Sequence, residues 1–144
     1  MDVTNKILET LGLLFPDVPD QYRNNLRQGF NENSFFVKQV SVNNEQMLAN
    51  RSIRSYNYQL HYFPENNPID QEQRLEEQCE KMAERMYNQF LYLNNHEGKV
   101  LKPYHRIEDG VLLFQFNLKF EIEHSPDHTP MQSFEERSGL KGDS

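Results

Sequence analysis

Leu112, Phe114, Phe116, Leu118, Phe120 and Ile122 stand at every second position directly after Asp109-Gly110, and this alternation limits the fold more than any other feature. A strict period of two predicts a β-strand with one buried side. Gln115, Asn117, Lys119, Glu121 and Glu123 fall on the opposite side. Six apolar positions in one register resist slippage, because a shift of one residue would turn all of them to water. Asp109-Gly110 predicts a two-residue type I′ turn, in which both central residues take positive φ. The partner strand is Val100 to Glu108, where Pro103 must sit at an edge or a bulge because it has no N–H for a ladder.

The remaining chain supplies layers for that hairpin. Val3, Ile7, Leu11 and Leu14 predict a short helix over Thr4 to Leu14, ended by Gly12 and Pro16. The polar stretch 16–33 reads as a loop with at most one helical turn. Ser34 to Val42 is β-branched and aromatic, hence a strand. Asn43 to Arg51 fits a loop or a short helix. Ile53 to Phe63 is a strand with Tyr56, Tyr58, Leu60 and Tyr62 on one face. Leu75, Cys79, Met82, Met86, Phe90 and Leu93 form one apolar stripe and predict a long helix over Asp70 to Leu93, with Asp70 as N-cap. Asn94-Asn95 and Gly98 supply its stop. The expected class is α+β: a mostly antiparallel, four-stranded twisted sheet, the long helix on one face and a short N-terminal helix. Residues 1–123 form one domain. Residues 124–144 form an extended tail, flexible or docked on a neighbouring subunit, in which Met131 and Phe134 are spaced as anchors.

Composition narrows the functional classes. Only 36% of the residues are apolar, and ten Phe and seven Tyr carry much of the core. A net charge of −7 argues against binding nucleic acid by phosphate neutralisation. The N-terminus lacks a signal-peptide pattern, and no stretch approaches the roughly 18 apolar residues of a membrane span. Synthesis in the cytoplasm and no membrane partner are therefore expected.

The residues that could carry chemistry are scattered. His124 and His128 flank Asp127 at a helical spacing, but Pro126 and Pro130 oppose a helix there, so a solvated tail is the simpler reading. His61 and His105 lie on strands as surface or interface residues. Cys79, alone in the chain, falls in an apolar stripe where it acts as a small hydrophobe. Asp109 is explained by its turn. No catalytic, cofactor-binding or metal-binding residue is expected, and the chain reads as a structural protein. Phe35 and Phe36 are adjacent, so they face opposite sides of their strand, and one needs cover beyond the long helix. A neighbouring subunit or the N-terminal helix would provide it.

Several segments together resemble the tail terminator family of phages and prophage-like elements of Gram-positive bacteria. They run in order: the N-terminal helix ending in LFP, then QGFNENSFFVKQV, RSYNYQLHYFP, the long acidic helix and the hairpin IEDGVLLFQFNLKF. MQSFEE is a looser match, and the chain departs most over 16–33. The resemblance implies a ring, commonly a hexamer, that caps the tail tube, stops its polymerisation and presents the joint to the head. It implies homo-oligomerisation, contacts with tail tube protein, connector or neck proteins and, in contractile tails, sheath. It also implies DNA passing through the lumen without specific binding, and a place at the tail–neck junction of the virion. Interface candidates are Phe35, Phe36 and Tyr58 on the sheet and Met131 and Phe134 in the tail. A head–tail connector or tail-completion protein, and a small peptide-binding or inhibitory module, are the alternatives.

Overall fold

The structure, a computed structural model, describes residues 2–22, 32–65 and 71–124. Contacts cluster into two units: Met1–Asn43 with Ser55–Lys119, and Asn44–Arg54 with Phe120–Ser144. The elements in chain order are helix α1 (Val3–Leu14), strands β1 (Asp20–Tyr22), β2 (Ser34–Gln46) and β3 (Arg51–Phe63), helix α2 (Gln71–Gln89), and strands β4 (Leu101–Glu108) and β5 (Val111–Glu123).

The α+β class holds, but the sheet has five strands in the order β1-β2-β3-β5-β4, and it is mixed rather than mostly antiparallel and four-stranded. The additional strand is β1, which lies in the stretch read as a loop and pairs in parallel with β2, Asp20 opposite Ser34 and Tyr22 opposite Phe36. Three residues are too few for any period to show. Both helices differ in extent from expectation. Asp2 caps α1, its carboxylate accepting the Asn5 N–H at 3.1 Å. The helix α2 stops at Gln89, short of the expected Leu93, although Phe90 and Leu93 stay 1% exposed. The chain leaves the helix there and a 3-10 turn follows at Asn94–His96, so those two side chains reach the core from irregular backbone. The expected N-cap, Asp70, lies outside the described residues.

The hairpin is as its sequence predicts. Glu108 pairs with Val111 across Asp109 (φ 51°) and Gly110 (φ 74°), the two positive φ values of a type I′ turn. Pro103 satisfies both of its constraints, since β4 is an edge strand and the register shifts between Leu101 and Tyr104. The undecided stretch 43–51 is neither a free loop nor a helix. It is the end of β2 and a tight turn closed by Met47 N–H donating to the Arg51 carbonyl at 2.7 Å, with Ala49 and Asn50 at positive φ.

The core of the first unit lies on one face of the sheet. Phe35, Tyr58, Leu60, Leu112, Phe114, Phe116 and Leu118 are fully buried or nearly so, and Ile7, Leu11, Phe15, Met86 and Phe90 pack with them. The rings interlock: Phe116 lies 6.0 Å from Tyr58 and 5.1 Å from Phe90, and Phe15 lies 5.8 Å from Phe35. Phe120 and Ile122, the last two residues of the alternating set, belong to the second unit and are only half-buried.

Candidate assembly surface

Two helices share one face of the first unit's sheet. The hydroxyl of Thr4 on α1 meets that of Tyr58 on β3 at 2.8 Å, and the Gln39 amide on β2 donates to the same Tyr58 oxygen at 3.1 Å. On α2, Tyr87 lies 5.2 Å from Phe114 of the same sheet face. The N-terminal helix therefore does not cover the opposite face, and among the described residues neither helix lies there.

That opposite face carries a mixed surface. A line of side-chain hydrogen bonds crosses three strands: Tyr104 hydroxyl to Gln115 Oε1 at 2.7 Å, then Gln115 Nε2 to Asn57 Oδ1 at 3.3 Å. Nearby on β3, His61 stands 5.2 Å from the Phe36 ring and 6.2 Å from the Phe63 ring, and its Nε2 pairs with Gln59 Oε1 at 3.0 Å. Burial holds the His61 imidazole below its ordinary pKa, and the positive charges of Lys38 and Arg106 add to that. A neutral imidazole between two rings suits a packing role.

The edges of the sheet differ from each other. At one side, β4 carries Pro103, a register shift and the charged Lys102, Arg106 and Glu108. At the other side, β1 covers only Ser34 to Phe36 of β2. From Lys38 to Gln46 every β2 residue is exposed, including Val40 at 47% and Val42 at 42%. In the second unit, Leu48 at the β2–β3 turn is 90% exposed. Around it, Gln46 Nε2 donates to the Arg51 carbonyl at 3.3 Å, and Arg51 pairs with Glu121 at 2.7 Å. Strand β5 ends beside this turn, with His124 N–H donating to the Asn50 carbonyl at 2.7 Å.

The sequence-derived site residues fall into three groups. Asp109 and Gly110 form their turn, and a Cβ on Gly110 would stand 3.0 Å from Leu75 Cδ1, so the turn sits against α2. Phe35, Phe36 and Tyr58 are 0%, 7% and 0% exposed, which places all three inside the subunit's own packing. Met131 and Phe134 lie outside the described residues. Val40, Val42 and Leu48 were not singled out by sequence. Val40 and Val42 look like any half-buried strand residues, and the described part of β1 pairs only with Ser34 to Phe36.

Among the described residues the titratable groups show no converging constellation, and no cluster of His, Cys, Asp and Glu could hold a metal ion. Cys79 is fully buried, burial pushes its thiol up to about 11, and it donates to the Gly110 carbonyl at 3.5 Å. His105 accepts or donates at Nδ1 with the Tyr87 hydroxyl at 2.7 Å, tying β4 to α2. No described helix is long and apolar enough to cross a membrane.

The family described as phage tail terminator protein matches residues 2–130. No curated protein matches the chain.

Proposed function

Because the chain belongs to the phage tail terminator protein family, and so is a structural component of the phage tail that works with other tail proteins, we propose that it closes into a ring. The ring caps the tail tube, halts addition of tube subunits and offers its outer side to the head or neck. No catalytic step is involved.

The observation that carries this reading is the family match over residues 2–130. The surface supports it. A closed ring needs two different patches on each subunit, one meeting the other on its neighbour. The first unit offers two unlike candidates: a sheet face with no described helix over it, and a strand edge at Lys38 to Val42 with no described strand beside it. Residues after Ser125, with Met131 and Phe134, serve as an arm on the neighbouring copy. The net charge of −7 suits a channel wall from which DNA slides rather than one to which it sticks.

The test is assembly. Native mass measurement and negative-stain imaging of the purified chain, alone and with tube protein, should show rings of six copies that sit at tube ends and stop elongation. A chain that stays monomeric even with tubes present would falsify the proposal.

A further inference from the structure

The two sheet edges are built on opposite rules. A strand edge exposes a row of backbone N–H and C=O groups that another strand can satisfy, and proteins guard such edges with proline, bulges and charge. The β4 edge has all three devices. The outer edge of β2 beyond Phe36 has no proline and no described strand beside it. From Lys38 to Val42 its side chains alternate Lys38, Val40, Val42 on one face with Gln39 and Ser41 on the other, a β-prone pattern left in water.

We propose that this edge is the seat for Met131 to Glu136 of a neighbouring copy, added as an antiparallel strand with Phe134 opposite Val40 and Glu136 opposite Lys38. The inference rests on the ring reading and names the residues that would join its subunits. Three observations select this occupant. Residues 125–130 link His124 to Met131, and when extended they span roughly 25 Å, enough to reach an adjoining copy. Beyond them, MQSFEERS is the stretch between Pro130 and Gly139, and it holds two of the three large apolar residues of 125–144, Met131 and Phe134, the third being Leu140. In the antiparallel register one face then pairs an aromatic with a β-branched residue at 134 and 40, opposite charges at 136 and 38, and Gln132 with Val42; both of the first two pairings stabilise cross-strand contact. A parallel register centred on the same pair would set Glu136 against Val42 and leave Lys38 facing Gln132, so the charges select the antiparallel one.

The test uses full-length chains in two tagged forms, one carrying Val42→Cys and the other Gln132→Cys, mixed before ring assembly and oxidised mildly. Buried Cys79 stays silent. The expected result is a disulfide between the two forms, well above that given by Leu48→Cys in place of Val42→Cys. Lys38→Glu should lower the yield about two- to fivefold, and Glu136→Lys on the partner form should restore it. Rings that form without the 42–132 link overturn this inference and leave the ring intact. A link formed within single monomeric chains carrying both cysteines also overturns it, since the segment would then seat on its own subunit. Failure of any ring to form overturns both readings.

Discussion

Arg85 on α2 holds Asp17 with two parallel hydrogen bonds, Nη1 to Oδ2 and Nη2 to Oδ1, each 2.9 Å. The same guanidinium lies 4.9 Å from the centroid of the Phe15 ring, so one side chain fastens the segment after α1 to α2 by charge and by stacking. The pair is partly solvated, with side-chain exposures of 35% for Arg85 and 60% for Asp17, which discounts its strength. Arg85→Ala should cost about 1–2 kcal/mol, since it removes the pair and the stacking together, whereas Asp17→Asn should cost less than about 1 kcal/mol. The hydrogen bonds to Arg85 hold the Asp17 carboxyl below the usual carboxylate value of 3.8. A lowered folded pKa means stability present above the unfolded value and lost as pH falls through the folded one. Urea titrations should therefore show the wild type and Asp17→Asn diverging at neutral pH and converging as pH drops below 3.8. A difference that grows in acid would refute the assignment.

The buried Tyr58 hydroxyl serves Thr4 and Gln39 at once. Tyr58→Phe should destabilise by about 1–2 kcal/mol, because Thr4, only 8% exposed, keeps a hydroxyl with its partner gone. Adding Thr4→Val should recover part of that loss, since removing both polar partners of a buried pair can be close to neutral. Chemical denaturation of the two single variants and the double one checks this. Strictly additive losses would show that the two hydroxyls do not act together.

At Gly110 a substitution meets two obstacles. Its φ of 74° strains any side chain, and a Cβ would approach Leu75 Cδ1 to 3.0 Å and Leu75 Cβ to 3.3 Å. Gly110→Ala should cost about 1–3 kcal/mol, and combining it with Leu75→Ala should not restore wild-type stability, because the backbone strain remains. Thermal melts of the three variants measure it; full rescue would assign the cost to crowding alone.

Cys79 should be nearly inert while the chain is folded. With its thiol pushed up to about 11, only a small fraction is thiolate near neutrality, and the side chain is 0% exposed. Labelling by an aromatic disulfide reagent should follow the fraction unfolded across a urea series. Rapid stoichiometric labelling of native protein would contradict the packing described for α2.

What could be read before the structure was whatever depends on near neighbours in sequence. Asp109-Gly110 specifies its own turn, and Leu112 to Leu118 specify their own face, so the β4–β5 hairpin was legible except at its ends, where β4 starts at Leu101 rather than Val100 and Phe120 and Ile122 are only half-buried. Asp20 to Tyr22 become a strand only by meeting Ser34 to Phe36, a pairing that no local pattern announces. Phe90 and Leu93 continue the helical spacing of α2 although the helix has ended, because a stripe records burial and not backbone conformation. The adjacency of Phe35 and Phe36 implied opposite faces, yet both are buried, and Phe36 rests against His61 on the side away from the helices. Val40 and Val42 are exposed because no described strand pairs with β2 beyond Phe36, a long-range fact that no local pattern states.

The bulge and proline of β4 have a consequence for how large an edge-joined assembly can grow. Open-ended filaments of sheet require every subunit to offer two usable margins, one to accept and one to be accepted. Here one margin is blunted along its length, so whole sheets cannot queue edge to edge. A component of a phage tail gains from that: its β4 margin offers no template on which further sheet could polymerise.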